Sequence, residues 1–90
     1  MKTLELRPVY VEFVPDDPTE GVLYISEEYQ TAIHKCPCGC GSEVVTPLSG
    51  EHAWQLTGSA DAVTLRPSVG NWNCLCQSHY YVTANKVEWL

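Results

Sequence analysis

The stretch HKCPCGCGSE, residues 34–43, places three cysteines within five positions of a sharply bending segment. Proline fixes its own φ and glycine tolerates backbone angles that other residues resist, so the segment can fold back and aim its sulfurs at one point. Cys36 and Cys40 have three residues between them, which lies within the spacing of structural zinc sites. The stretch therefore predicts a metal-binding knuckle.

A second cluster, CQSH, supplies further ligand types after a long insert. Two residues separate Cys76 from His79, so one tight turn can present both side chains to one ion. We expect a Cys₃His zinc site in which two cysteines come from the first cluster and the other two ligands from the second. Cys38 either replaces Cys36 as a ligand or stays outside the shell. The candidate metal ligands are thus Cys36, Cys38, Cys40, Cys76 and His79.

The fifth cysteine, Cys74, alternates with Cys76, so on a strand it would point to the opposite face as a buried apolar residue. Five cysteines are an odd number, and the first residues, MKTLELRPVYVEF, lack the apolar core of a secretory signal. We expect a cytoplasmic protein, in which clustered thiols serve as metal ligands or redox groups. No Cys-x-x-C sequence is present, which disfavours a redox domain, and iron–sulfur or copper is a lesser alternative to zinc.

The balance of acidic and basic residues indicates which class of partner the chain can bind. The chain has 11 acidic residues against five Lys and Arg, for a net charge of −6, and its five cations are scattered along the sequence. Nucleic-acid binding relies on clustered cations, so this class is disfavoured. Apolar runs reach only three or four residues, too few for a membrane span. We expect a protein partner, while the oligomeric state stays open.

Alternating and apolar segments predict a mainly β fold: a small antiparallel β domain with a zinc knuckle, spanning residues 1–90 as one unit. Pro8 suggests that the first strand lies at a sheet edge, and Asn85 suits the positive φ of a hairpin turn. The expected strands cover residues 4–13, 21–26, 43–48, 53–58 and 62–69, a hairpin joins 80–82 to 87–90, and a helical turn is expected within 27–35.

Other ring-bearing residues receive simpler interpretations. His34 and His52 are expected at the surface or in turns. The three tryptophans are expected in the core, because large rings dominate the core of a small domain. They are Trp54, Trp72 and Trp89.

The zinc can be structural or catalytic. A catalytic zinc would keep a water, and Glu43 is the candidate general base. Several thiolates lower the Lewis acidity of the metal, and no H-E-x-x-H sequence is present, so we favour a structural site. Ser68, Ser78 and His79 could gather near the metal with Glu43. We expect instead that Ser68 makes a turn with Pro67, and that Ser78 donates a hydrogen bond to the knuckle backbone or to a cysteine sulfur.

In this order, CPCGCG, Trp54–Leu56, VTLRPSVGNW and CQSHYYV with NKVEW resemble a bacterial family of small proteins of unknown function, DUF6527. The resemblance, over roughly residues 34–90, implies a zinc-binding domain whose ligands lie in the first cluster and at Cys76 and His79, with Cys74 outside the set. Some relatives are encoded beside ubiquitin-like conjugation enzymes. The resemblance therefore implies an accessory or protein-interaction module in such a pathway. The alternative is a zinc-dependent peptidase acting on a ubiquitin-like protein or its conjugates.

Overall fold

The computed structural model describes residues 4–70 and 76–90, which form two four-stranded sheets and no helix. The first sheet has the order β1-β2-β3-β4 and the second the order β5-β6-β7-β8. Only β1 and β2 pair in parallel among the described strands, and the other pairs are antiparallel. The strands are β1 (Arg7–Tyr10), β2 (Val22–Ser26), β3 (Thr31–Lys35), β4 (Glu43–Pro47), β5 (Gln55–Gly58), β6 (Val63–Gly70), β7 (His79–Thr83) and β8 (Lys86–Trp89). The mainly β prediction is confirmed.

The first sheet is organised around β2, whose five residues are all buried. Pro8 lies in β1 at the sheet edge, as predicted. The helical turn expected within residues 27–35 is wrong. Residues 27–30 make a turn that ends at Gln30 with φ 52°, and the next five residues form β3, with alternating burial. Pairing with both β2 and β4 satisfies the backbone of β3, and this outweighs the local helix propensity.

The second sheet ends in the predicted hairpin of β7 and β8. Ala84 and Asn85 have φ of 47° and 72° in its two-residue turn. The Asn85 side chain accepts a hydrogen bond at 2.8 Å from the amide of Val63 at the start of β6. The turn is therefore fixed to the neighbouring strand.

The longest strand, β6, is irregular in its middle. Its register with β7 shifts between Leu65 and Val69, which marks a β-bulge at residues 66–68. A bulge disturbs the ladder locally and redirects the side chains within it. Ser68 lies in this bulge.

The core lies between the sheets, because both contribute to one cluster of buried side chains. Leu23 and Ile25 come from the first sheet, and Leu65 and Val82 from the second. Trp54 and Trp89 pack against this cluster, as expected, while Trp72 lies outside the described residues. In the part of the chain that the structure describes, no helix could cross a membrane.

Candidate metal centre and serine–histidine pair

Four cysteines meet where the end of β3 approaches the start of β7. Their Sγ atoms all lie within 4.8 Å of one another, and they belong to Cys36, Cys38, Cys40 and Cys76. The Sγ of Cys36 is 3.4 Å from that of Cys38 and 3.7 Å from that of Cys76. The Sγ of Cys40 is also 3.7 Å from that of Cys76.

The knuckle that follows β3 shapes this cluster. The amide of Cys36 donates to the carbonyl of Ser42 at 2.8 Å, and the amide of Gly39 donates to the carbonyl of Cys36 at 3.1 Å. Gly39 has φ of 91° and Gly41 of 85°, a left-handed region that favours glycine. These turns bring the sulfurs of Cys36, Cys38 and Cys40 close together.

The sulfur spacing fits a tetrahedral metal ion. Zn–S bonds of about 2.3 Å in a tetrahedral site place the sulfurs about 3.8 Å apart. The measured separations, 3.4 and 3.7 Å, lie near that value. Four soft sulfur donors are also the ligand set that zinc takes in closed sites. The residues present therefore fit zinc.

The thiols differ in their ease of ionisation. Burial raises the pKa of the Cys36 thiol to about 12. Hydrogen bonds from the Ser78 hydroxyl and amide lower the pKa of Cys76 to about 6, and bonds from Ser42 lower the pKa of Cys40. The fold thus favours the thiolate of Cys76, the form that binds metal, and shifts the pKa of Cys40 in the same direction.

The other residues considered for the metal lie elsewhere. Neither His79 nor Glu43 belongs to the group of ligand atoms within 4.8 Å. Glu43 begins β4, is exposed, and pairs across the ladder with Lys35. Cys74 lies outside the described residues. All three cysteines of the first cluster join Cys76.

His79 instead contacts a serine. Its Nε2 lies 2.7 Å from the Oγ of Ser68, and both residues are partly accessible. Gly70 of β6 pairs with His79 of β7, so the shifted register of the bulge sets Ser68 against the imidazole. The signal was present in the sequence, since Pro67 inside an apolar strand pattern marks a bulge that can redirect the next side chain.

Two further contacts hold the pair in place. Trp54 donates from its indole N–H to the carbonyl of Ser68 at 3.3 Å, which fixes the backbone of the bulge. Ser78 is buried and bonds the cysteine cluster on one side, and it immediately precedes His79 in the chain. Of the two bonds expected for Ser78, the one to a cysteine sulfur is present, at Cys76. The cysteine cluster thereby anchors the start of β7, which carries the imidazole.

The fold and site together define a class, an all-β domain in which a four-cysteine cluster lies beside an accessible serine–histidine pair. The chain belongs to the BubE family, described as the bacterial ubiquitination-like system serine protease, whose family model matches residues 10–90. No curated protein matches it. No solved structure matches it either. The expected link to a small bacterial family and a ubiquitin-like pathway is confirmed, and the DUF6527 name stays a prediction.

Proposed function

We propose that the chain is a serine peptidase of a bacterial ubiquitination-like system, with Ser68 as nucleophile and His79 as general base. One observation carries this proposal: the 2.7 Å contact between Ser68 Oγ and His79 Nε2. A nucleophile and its base must lie within hydrogen-bond reach, about 2.6 to 3.2 Å. The family's description supplies the reaction class and the pathway.

The reaction follows from this pair. Ser68 Oγ attacks the scissile carbonyl carbon while its proton passes to His79 Nε2. The tetrahedral intermediate collapses, the bond to the leaving group breaks, and His79 returns the proton to that group. A water molecule then attacks the acyl-serine ester, with His79 again taking the proton. The acid product leaves, and Ser68 Oγ regains its proton.

We assign the four clustered cysteines to a structural zinc, which would cross-link the two ligand segments. Four sulfurs complete a tetrahedron without a water, which supports a closed site over a catalytic one. This assignment replaces the expected Cys₃His set and leaves His79 to serve Ser68. The zinc-hydrolase alternative is less supported, because four cysteine ligands leave no coordination position for the water that a catalytic zinc needs.

Membership in this family supports a proposal for the partner and for the compartment. A bacterial ubiquitination-like system makes a protein, either a ubiquitin-like protein or its conjugate, the expected substrate. We propose that the enzyme acts in the cytoplasm.

Labelling with a fluorophosphonate tests the nucleophile directly. The wild-type protein should gain one adduct at Ser68, located by mass spectrometry. Ser68→Ala should abolish labelling, and His79→Ala should slow it by about 100-fold or more, the scale of a general base. Ser49→Ala, which removes an exposed serine from a bend, is the matched control and should label normally. Unlabelled wild-type protein with a native fold would refute the proposal.

A further inference from the structure

The proposed catalytic pair opens onto the outer face of the second sheet. Along β7, Tyr80 and Val82 are buried in the core, while the residues that alternate with them are partly accessible. Side chains two apart on a strand share a face, so Tyr81 and Thr83 lie on the same face as His79. A polypeptide bound at Ser68 can extend across this surface.

Arg66 is held on that face by neutral groups. Its guanidinium carbon lies 4.6 Å from the centre of the Tyr81 ring, an arrangement that favours a cation. One terminal nitrogen donates to the carbonyls of Leu65 and Val82, at 2.8 and 3.2 Å. The other donates to the hydroxyl of Thr83 at 2.8 Å. These contacts fix the position of the charge without neutralising it.

No carboxylate compensates this charge within the described chain. The ion pair found there joins Lys35 to Asp17, so no carboxylate oxygen lies within 4.0 Å of Arg66. This is unusual in a protein with 11 acidic residues and only five Lys and Arg. Glu88, the nearest acid by strand register, pairs with Tyr81 on the side away from β6. A fixed and exposed guanidinium of this kind suits a carboxylate ligand.

We propose that Arg66 is a specificity-determining residue that binds an acidic side chain of the substrate close to the cleaved bond. This inference rests on the proposed function. Arg66 precedes Ser68 by only two positions, so their Cα atoms are at most about 7 Å apart, the length of about two extended substrate residues. The substrate is therefore a polypeptide with Asp or Glu within about three residues of the scissile bond.

Binding to the inactive Ser68→Ala protein tests this without any turnover. The probes are three fluorescein-labelled decapeptides of Gly, Ala and Leu, which carry two Asp, two Asn or two Lys residues at the same positions. Fluorescence anisotropy should show the Asp peptide binding about fivefold more tightly than the Asn peptide, the upper range for an exposed ion pair. The preference should fall in 0.5 M salt, because salt screens exposed charges.

Substitutions in the same background separate charge from packing. Arg66→Gln should remove the preference, Arg66→Lys should restore part of it, and Arg66→Glu should make the Lys peptide the tightest ligand. Arg7→Gln, in β1 of the other sheet, should leave the preference unchanged. A merely structural role for Arg66 would weaken all three peptides together and would not invert their order.

The outcomes distinguish the two proposals. Equal binding of the three peptides, or no binding, overturns the role of Arg66 even when Ser68 labels normally. Failure of fluorophosphonate labelling removes the serine mechanism, whatever the peptides do. If Arg66→Glu binds the Lys peptide most tightly, the charge at position 66 determines which peptide is preferred.

Discussion

A buried polar pair joins the two strands that lie next to the cysteine cluster. His34 is fully buried, and its Nε2 lies 2.6 Å from the hydroxyl of Tyr80, which is also fully buried. The contact joins β3 to β7, 46 residues apart in the chain, and so connects the two sheets. Burial lowers the pKa of His34 to about 4, which keeps the ring neutral at pH 7. The pair fixes the strands that precede and follow the ligand segments.

We predict that Tyr80→Phe destabilises the metal-loaded protein by about 1 to 3 kcal/mol, because it leaves a buried ring nitrogen without its partner. Urea denaturation followed by tryptophan fluorescence would measure the change. Tyr81→Phe is the matched control: its ring is on the outer face, and the change should cost less than about 0.5 kcal/mol. Equal losses in both variants would contradict this account.

At the level of single residues, the sequence predicted what local spacing determines. Cys36, Cys38 and Cys40 were candidates because of their close spacing, whereas Cys76 was a candidate because of its spacing from His79, which lies outside the cluster. The surface position expected for His34 is wrong, since its burial depends on Tyr80, a partner distant in sequence. The contact between Ser68 and His79 likewise depends on the register of β6 and β7, since Pro67 marks a bulge in the sequence but does not specify which residue of β7 lies opposite it.

Among the strands, the hairpin of β5 and β6 depends on the backbone conformation of one glycine in its turn. They pair as a hairpin, and Gly58 at the end of β5 has φ of 104°. A Cβ atom there would collide with the carbonyl oxygen of Ala62. Gly50 has a similar φ of 100°, but a Cβ there would meet nothing within 4 Å. Gly50 is thus required only for its left-handed backbone conformation, whereas Gly58 is required both for its backbone conformation and because a side chain would not fit there.

We predict that Gly58→Ala destabilises the fold more than Gly50→Ala does. Both changes should cost about 1 to 2 kcal/mol for the left-handed backbone. Gly58→Ala adds the displacement of the Ala62 carbonyl, so we expect at least about 1 kcal/mol more, on the scale of overpacking. Chemical denaturation of both variants gives the comparison. A smaller loss at Gly58 would contradict the hairpin geometry.

At the level of elements, strands with strong alternation were predictable and irregular ones were not. The β7–β8 hairpin follows from Asn85 and its flanking apolar residues. Strand β3 was missed because it has only five residues. So short an apolar pattern does not stand out from the polar residues that precede it, although it is long enough to pair with its neighbours. The bulge in β6 was visible only as Pro67, whose effect on register requires a partner strand.

On the scale of the whole molecule, the cysteine cluster connects the two sheets where the end of β3 approaches the start of β7. Three sulfurs follow β3 of the first sheet, and the fourth precedes β7 of the second. A domain of 90 residues buries only a modest share of its surface, so the proposed metal cross-link would add a large fraction of its stability.

We predict that zinc removal unfolds the domain. Zinc binding in small structural sites contributes roughly 10 kcal/mol or more, comparable with the whole stability of a domain this size. Elemental analysis should find one zinc per chain, and a strong chelator should abolish the circular dichroism signal of the folded state. Cys76→Ser should have the same effect, whereas His79→Ala should keep its metal. A stable metal-free fold in reducing buffer would refute the structural role.

The position of the fourth cysteine also links the two proposed sites in the order of synthesis. Ser68 and the first three cysteines precede Cys76 and His79 in the chain. The cysteine cluster and the proposed catalytic pair are therefore both completed by residues 76–79. A chain that stops before Cys76 contains the proposed nucleophile but lacks both the proposed base and the fourth sulfur, so the proposed peptidase becomes active only once residues 76–79 have been made.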